Sequence, residues 1–263
     1  MLADVLDLNG KSMEKVELPK VFEEPVREDL VKRAVLASQS KRRQPYSPNE
    51  MAGKRTSAHY HGRRRERNSM MNREMARAPR LHGKTVPFLT MTARFVPHAV
   101  KGRRAHPPMV EKVWGQKINR KERRKAVKGA IAATAVKELV VKRGHKVDAQ
   151  LPIIVEDKIG ELKKTKDVVE FLKKIGLEKE LERISERKVR SGKGKARGRK
   201  YKTKVGPLFV TTEDNGISKA VKNLSGCNVC RVENLSAEYL APGAAVGRLT
   251  IFTKSAVEKL RRL

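Results

Sequence analysis

Residues 191–210 read SGKGKARGRKYKTKVGPLFV, a stretch that passes directly from one kind of sequence into another. Its first part is a series of Lys and Arg residues spaced by glycines, with no acidic residue among them. Its last part, GPLFV at 206–210, is a short apolar run typical of a buried strand. The stretch therefore predicts a packed core with a densely positive ribbon attached to one of its strands.

Strand and helix patterns alternate along the rest of the chain. The other strand candidates are ADVLDLNG (3–10), KVELP (15–19), LPIIV (151–155), CNVCRV (227–232) and RLTIF (248–252). Helices are predicted over VREDLVKRAVLAS (26–38), from Asn119 to Gly144, from Thr165 as the cap to Gly176, over 177–184 and 217–224, and from Ser255 onward. This alternation predicts an α/β fold with a mostly parallel sheet flanked by helices.

The composition points to a polyanionic partner. The chain has 61 Lys and Arg against 29 Asp and Glu, a formal net charge of +32, and a surplus of this size favours nucleic acid. No apolar run approaches the roughly 18 residues that span a membrane, and the N-terminus lacks a secretory signal pattern, so we expect no membrane association. Two cysteines cannot form a disulfide framework, which favours a reducing compartment.

An internal segment at 41–108 differs from both of its flanks. It contains 17 Lys or Arg against three acids, and seven prolines and four glycines interrupt any regular pattern. Such a segment cannot bury enough apolar surface to offset its ordering entropy. We therefore predict a globular α/β domain formed by 1–40 and 109–263, with 41–108 inserted as a long, extended basic loop. A solvated disordered tail is the alternative, but the segment is internal, so an RNA-penetrating arm is favoured.

Two further basic blocks flank folded elements. Residues 187–204 carry ten cations, no acid and glycines at 192, 194 and 198, which favours a phosphate-binding loop over a flexible linker. The segment KINRKERRKAVK (117–128) places seven cations at the start of a helix. An exposed helix face and a specific RNA contact explain that block equally well.

No motif for catalysis, a cofactor or a metal stands out. Cys227 and Cys230 form a CxxC, but zinc needs two more ligands and a redox pair needs a strand-to-helix turn, so small core or surface residues are the favoured interpretation. Five of the six histidines lie in 41–108 without a recognisable Ser, Cys or carboxylate partner, and we expect them to contact or stack on RNA. The chain has neither a GxGxxG after its first strand nor a P-loop. We predict no catalytic residue, no cofactor and no bound metal.

Four long stretches resemble one known family, the large ribosomal subunit protein L-four family in its archaeal and eukaryotic form. They are FVPHAVKGRRAHPP (95–108), INRKERRKAVKGAIAATA (118–135), RSGKGKARGRKYKTKVGPLFV (190–210) and ENLSAEYLAPGAAVGRLTIFTKSAVEKL (233–260). They follow the order of the family and cover most of the chain. The absence of a long basic C-terminal extension favours the archaeal form.

The resemblance implies a structural protein of the cytoplasmic ribosome that binds large-subunit rRNA, contacts neighbouring large-subunit proteins and supports subunit assembly. The globular domain would lie on the subunit surface, and the loop would line the nascent-peptide exit tunnel, with its tip between Arg63 and Arg80 near the nascent polypeptide. Methionines in that tip depart from the pattern expected of the family. The predicted RNA-binding residues are Arg63, Arg64, Arg65, Arg73, Arg77, Arg80, Lys84, Arg94, Lys101, Arg103, Arg104, His106, Arg120, Arg123, Arg124, Arg190, Lys193, Lys195, Arg197, Arg199, Lys200 and Lys202.

Two functions from other classes remain open at this point. An RNA methyltransferase on a doubly wound sheet would need a glycine-rich cofactor turn after a strand, and the sequence has none. A DNA-compacting basic protein would bind duplex DNA as well as structured RNA. We expect a structural rRNA-binding protein, not an enzyme.

Overall fold

The computed structural model describes residues 2–83 and 85–262. The chain divides into two compact units, one formed by Met1–Arg42 with Gly115–Leu263 and the other by Arg43–Trp114. We call the first unit the globule and the second the arm. No helix in the described part of the chain is long and apolar enough to cross a membrane.

The globule contains the strands and helices, labelled here in chain order. The strands are β1 (Leu2–Leu6), β2 (Ser12–Glu17), β3 (Ile153–Val155), β4 (Lys188–Val189), β5 (Tyr201–Lys202), β6 (Leu208–Thr211), β7 (Asn228–Arg231) and β8 (Thr250–Thr253). The helices are α1 (Glu28–Lys41), α2 (Arg120–Ala135), α3 (Lys137–Lys142), α4 (Thr165–Lys174), α5 (Glu178–Ser185), α6 (Ile217–Lys222), α7 (Ala237–Leu240) and α8 (Lys254–Leu260).

Six of the strands form one sheet in the order β2-β1-β3-β8-β6-β7. Only β1 and β2 pair antiparallel, whereas β1 with β3, β3 with β8, β8 with β6 and β6 with β7 pair parallel. Parallel neighbours need crossover connections, and the helices that supply them cover the sheet. The mostly parallel α/β sheet predicted from the alternating pattern is confirmed.

The central strands β3, β6 and β8 are buried on both faces, which explains why they consist of apolar residues and threonines. In β6, Leu208 and Val210 belong to one core cluster and Phe209 belongs to the other. Successive side chains of a strand point to opposite faces, so the continuous run GPLFV fills both cores. Helices α1, α2, α7 and α8 contribute to the first cluster, and α3, α4, α5 and α6 contribute to the second.

Three details of the helices differ from the predictions. The helix expected from Asn119 to Gly144 is broken at Val136, whose φ of −87° and ψ of 107° separate α2 from α3. The N-cap of α4 is Lys164, with Thr165 as the first helical residue. The cap of α8 is Thr253, whose Oγ1 accepts from the backbone N–H of Ala256 at 3.3 Å, so Ser255 lies inside that helix.

The arm is held by turns and isolated bridges. Among its described residues, the only helical turn is the 3-10 turn Pro87–Leu89, and Arg80 forms antiparallel bridges with His59 and Ala93. Ser69, Met70 and Ala78 are the only described arm residues that are buried. The arm therefore has almost no apolar core.

An aromatic and cationic stack joins the two ends of the arm. The ring of Tyr46 stacks on that of Trp114, with centroids 5.7 Å apart and an interplanar angle of 23°. The guanidinium carbon of Arg43 lies 4.2 Å from the Trp114 ring centroid, and Lys112 Nζ lies 4.7 Å from it. These distances are those of cation–π contacts.

Candidate nucleic-acid interface

The segment 187–204 folds as a short antiparallel hairpin, which we call the cationic hairpin. Strand β4 pairs with β5 in the register Lys188 to Lys202 and Val189 to Tyr201. One further bond continues the ladder, from the N–H of Arg190 to the carbonyl of Lys200 at 2.8 Å. The ribbon predicted from the sequence is therefore a defined hairpin whose turn carries most of its charge.

Glycines give the turn of the hairpin its shape. Gly192 and Gly198 have φ of 82° and 79°, in the left-handed region that favours glycine. The N–H groups of Arg197 and Arg199 both donate to the carbonyl of Gly194, at 3.2 and 3.1 Å. The turn is thus compact while its cationic side chains project outward.

Most cations of the hairpin are exposed and lack acidic partners. Arg190 is half-buried and donates from Nε to the carbonyl of Arg199 at 3.1 Å. None of the predicted binding residues in the hairpin forms an ion pair with a described carboxylate; the one ion pair of the segment joins Lys204 to Glu186. The exposed predicted residues of this group are Lys193, Lys195, Arg197, Arg199, Lys200 and Lys202. Like charges held this close repel each other unless an anion neutralises them.

Arg248 fixes the point where the hairpin enters the sheet. This arginine is 1% exposed and donates from Nε to the carbonyl of Gly206 at 2.9 Å. Its other nitrogens donate to the carbonyls of Tyr239 and Gly226 at 2.8 and 3.1 Å and to Oδ1 of Asn228 at 2.6 Å. Burial lowers the pKa of Arg248 to about 10, so the group remains charged at neutral pH. One buried cation thus joins the start of β6 to β7 and β8.

A second arginine, Arg183, whose side chain is 14% exposed, holds the preceding residue. Arg183 donates to the carbonyl of Val205 at 2.6 Å and makes two bonds of 2.7 Å to the carboxylate of Glu180. That carboxylate also accepts from His145 Nδ1 at 2.7 Å and from the N–H of Lys146 at 3.0 Å. Burial opposes ionisation of Glu180, but the bonds from Arg183, His145 and Lys146 outweigh it and lower its pKa. Burial lowers the pKa of His145, so this ring is neutral and donates.

Close backbone approach requires glycine beside this anchor. Gly226 has a φ of 75°, and a Cβ built there would lie 2.1 Å from the carbonyl oxygen of Lys204. The N–H of Gly206 donates to the carbonyl of Gly226 at 2.9 Å. The end of the hairpin is therefore packed directly against the turn that leads into β7.

The third basic block lies on the exposed side of the first turns of α2. Arg120, Arg123 and Arg124 are all exposed, and none forms an ion pair with a described carboxylate. Glu122 in the same turn pairs with Arg33 of α1 at 3.2 Å. The structure separates the acidic side chain, which supports packing on α1, from the three cations, which face solvent.

The predicted binding residues of the arm fall into two groups. Arg80 donates to the carbonyls of Met91 and Ala76 at 2.7 and 2.9 Å, and Arg94 donates to the carbonyl of Val100 at 2.5 Å, so both support the arm backbone. Arg103 is half-buried, and Lys84 lies outside the described residues. The exposed group consists of Arg63, Arg64, Arg65, Arg73, Arg77, Lys101, Arg104 and His106.

These features match one family along nearly the whole chain. The family model described as "Ribosomal protein L4/L1 family" matches residues 16–263. The chain belongs to this family. Its members are structural ribosomal proteins and not enzymes.

Curated relatives agree with this assignment. The chain is 48% identical to the large ribosomal subunit protein uL4 of Archaeoglobus fulgidus over 261 residues, covering 99% of this chain and 98% of the relative. It is 46% identical to the uL4 proteins of Methanosphaera stadtmanae, over 98% of this chain and 95% of the relative, and of Halobacterium salinarum, over 99% of each. These relatives are archaeal, as expected from the sequence.

The two cysteines are core residues on opposite faces of the sheet. Cys227 and Cys230 are each 5% exposed and belong to different core clusters. Burial raises their thiol pKa values to about 12 and about 11, so both are protonated at neutral pH. The pair shares no site for a metal or a disulfide.

The anchor of the hairpin was not predicted from the sequence. Arg183 and Arg248 do not stand out among so many cations. One signal was available for Arg248, because it opens the strand candidate RLTIF, where the following residues are apolar. A cation at the start of a buried strand needs several acceptors and so predicts a fixed structural contact.

Proposed function

We propose that this family member is a structural constituent of the large ribosomal subunit, in the cytoplasmic ribosome, and that it binds large-subunit rRNA through the cationic hairpin, the start of α2 and the arm. The observation that carries the proposal is the hairpin itself. Its exposed, acid-free turn leads into β6 through Val205 and Gly206, whose carbonyls accept from Arg183 and the buried Arg248. A phosphate backbone supplies the neutralising charge that the described protein does not.

The rigid base explains why such a hairpin suits RNA binding. Side chains on a fixed backbone lose less conformational freedom when they bind than side chains on a free linker. Arginine pairs with phosphate through two parallel hydrogen bonds, and lysine binds it as a point charge. The turn between Gly192 and Gly198 presents both types within a few residues.

The arm is proposed to penetrate the rRNA. Its exposed cations face outward around a unit with almost no apolar core, so nucleotides must supply much of its stabilising environment. The names of the relatives place those proteins in the large ribosomal subunit. By the resemblance given above, the tip between Arg63 and Arg80 lines the exit tunnel near the nascent polypeptide, and the globule meets neighbouring large-subunit proteins.

Site-specific photocrosslinking in purified large subunits tests this proposal. A photoreactive residue at position 195 or 77 is expected to crosslink to rRNA, and the mapped nucleotides then define the contacts. The matched control is position 166, an exposed lysine of α4 that lies 3.9 Å from the carboxylate of Glu170. Crosslinks from position 166 without any from 195 or 77 would contradict the proposal.

Competition separates this function from general polyanion binding. Binding of the full chain to an rRNA fragment should resist excess duplex DNA, because the arm and hairpin are proposed to follow folded RNA. Equal competition by duplex DNA and by rRNA would favour the DNA-compacting alternative instead.

A further inference from the structure

Three histidines of the arm form a cluster that the RNA-binding proposal does not use. His59, His61 and His82 each offer a ring nitrogen, and these three atoms all lie within 4.8 Å of one another. The ring centroids are 4.3 Å apart for His59 and His61, 4.1 Å for His59 and His82, and 4.5 Å for His61 and His82. Rings this close share a single small volume.

The backbone of the arm brings these residues together. His59 and His61 are two residues apart in an extended segment, so their side chains point the same way. The N–H of Arg80 donates to the carbonyl of His59 at 3.1 Å, and this antiparallel bridge places the returning segment, with His82, beside them. The cluster therefore joins two segments separated by about twenty residues in sequence.

Oxygen atoms lie beside the Nδ1 atoms of two of the three rings. His59 Nδ1 lies 3.0 Å from the carbonyl of Ser57, and His61 Nδ1 lies 3.7 Å from a carboxylate oxygen of Glu66. A proton on each Nδ1 that faces an oxygen leaves the Nε2 atom with a free lone pair. Metal-binding histidines commonly donate the second ring N–H to a carbonyl or carboxylate, as His59 can to Ser57, and Glu66 lies on the corresponding side of His61.

We propose that His59, His61 and His82 bind a divalent transition-metal ion, with Zn²⁺ as the preferred ion. Three imidazole nitrogens suit Zn²⁺, and water would supply the fourth ligand. A tetrahedral ion at about 2.0–2.1 Å from each nitrogen needs the nitrogens about 3.3–3.4 Å apart. The Nε2 atoms of His61 and His82 are 2.7 Å apart and would have to separate by about 0.6–0.7 Å to accommodate the ion.

A hydrogen bond between two histidines is the simplest alternative. It would need a proton on one of the two Nε2 atoms, and it would account for His61 and His82 only. That hydrogen bond would leave three features unexplained: the position of the His59 ring, the carbonyl beside its Nδ1 and the carboxylate beside Nδ1 of His61. A shared metal ion explains all of these contacts together.

Such an ion would stabilise the arm without RNA. Units of about 70 residues or fewer seldom hold together on a small core, and many contain a structural metal. The arm spans Arg43–Trp114, and only Ser69, Met70 and Ala78 are buried among its described residues. A metal bound to both segments would close the loop between His61 and His82, which removes conformational entropy from the free arm.

Metal titration of the untagged, metal-free full chain tests the proposal. We expect one Co²⁺ per chain, with the visible absorption of a tetrahedral site, and displacement by Zn²⁺. His61→Ala and His82→Ala should each weaken binding by at least about 100-fold, and Glu66→Gln by about 10–100-fold. His98→Gln is the matched control, because His98 is an exposed histidine of the same arm outside the cluster, and it should bind as the wild type does.

Trypsin provides a second measurement on the same samples. Zn²⁺ should slow cleavage of the wild-type arm between Arg55 and Arg80 and should not slow it in His61→Ala. Absence of saturable Co²⁺ and Zn²⁺ binding by the wild-type chain, or equal binding by the wild type and His61→Ala, would overturn the proposal. Since no RNA is present, either result leaves the proposed ribosomal function standing.

Discussion

Arg248 Nε donates to the carbonyl oxygen of Gly206 at 2.9 Å, two residues before β6 begins at Leu208. Val205, the preceding residue, is held in the same way by Arg183 at 2.6 Å. A highly positive segment is therefore attached to the core through two further positive charges, the buried Arg248 and the half-buried Arg183, both of which donate to carbonyl or carboxylate oxygens. This arrangement fixes the direction in which the hairpin leaves the globule.

Replacing Arg248 with Met should destabilise the globule by about 2–4 kcal/mol, because the carbonyls of Gly206, Gly226 and Tyr239 lose a charged donor in a buried site. Urea unfolding followed by circular dichroism measures this. The control is Arg231→Met on neighbouring β7, where the arginine is exposed. Equal stability of the two variants would show that Arg248 is not an anchor.

Substitution of Gly226 with Ala should cost at least about 2 kcal/mol, since the new Cβ would lie 2.1 Å from the Lys204 carbonyl oxygen in a backbone with a φ of 75°. Gly192→Ala is a matched control with a φ of 82° and no heavy atom within 4 Å of the new Cβ. It should cost about 1 kcal/mol through the left-handed backbone alone. Thermal unfolding of both variants provides the comparison, and a larger loss in Gly192→Ala would refute the close-packing argument.

Glu180→Gln should lower the unfolding free energy by about 3 kcal/mol near neutral pH, because it leaves Arg183 without its buried counter-charge. The pKa of Glu180 is lowered in the folded state. Its contribution to the unfolding free energy is therefore complete above the ordinary pKa of 4.5 and is lost as the pH falls through the pKa of the folded state. The difference between wild type and variant should therefore stay constant from pH 7 to about pH 5 and shrink below. A difference in unfolding free energy that grows below pH 5 would contradict a lowered pKa for Glu180.

Deletion of residues 60–80 should leave the unfolding free energy of the globule within about 0.5 kcal/mol of the wild-type value. Both core clusters are built only from residues of Met1–Arg42 and Gly115–Leu263, so the deletion removes no core contact among the described residues. Differential scanning calorimetry of the full chain and the deletion variant measures this. A large loss of globule stability would show that the arm tip supports the core.

The sequence predicted the elements that burial dictates. LPIIV contains β3, and GPLFV and RLTIF contain all of β6 and β8 except the last threonine of each, because a strand covered on both faces is mostly apolar. The parallel orientation of these strands was predicted from the helices that lie between them in the sequence. The basic segments were also visible, since a cluster of cations is a local property of the chain.

Features that depend on tertiary contacts were not visible. The break at Val136 lies in a continuous helical pattern, so the sequence gives no sign of it. Helix α3, which follows the break, lies close to a distant part of the chain: a Cβ built at Gly247 would be 2.6 Å from the carbonyl oxygen of Leu139. No local sequence pattern encodes such a contact. Strands β4 and β5 are exposed, so hydrophobic alternation could not mark them. The histidine cluster joins side chains about twenty residues apart through one bridge, and only the folded arm shows it.

The most direct test of rRNA binding by the hairpin is the salt dependence of affinity. Full-length wild type should bind a large-subunit rRNA fragment with an affinity that falls steeply as salt rises. Replacing Lys195, Arg197 and Arg199 with Gln should reduce the magnitude of the slope of log K against log salt by about 2–3, because each lost phosphate contact lowers it by about 1.

The control replaces Lys166, Lys173 and Lys179 with Gln, which removes the same net charge from exposed lysines that already lie 2.9–3.9 Å from carboxylates. This variant should keep the wild-type slope. A flat wild-type affinity across the salt range, or equal slopes for the wild type and the hairpin variant, would contradict the account.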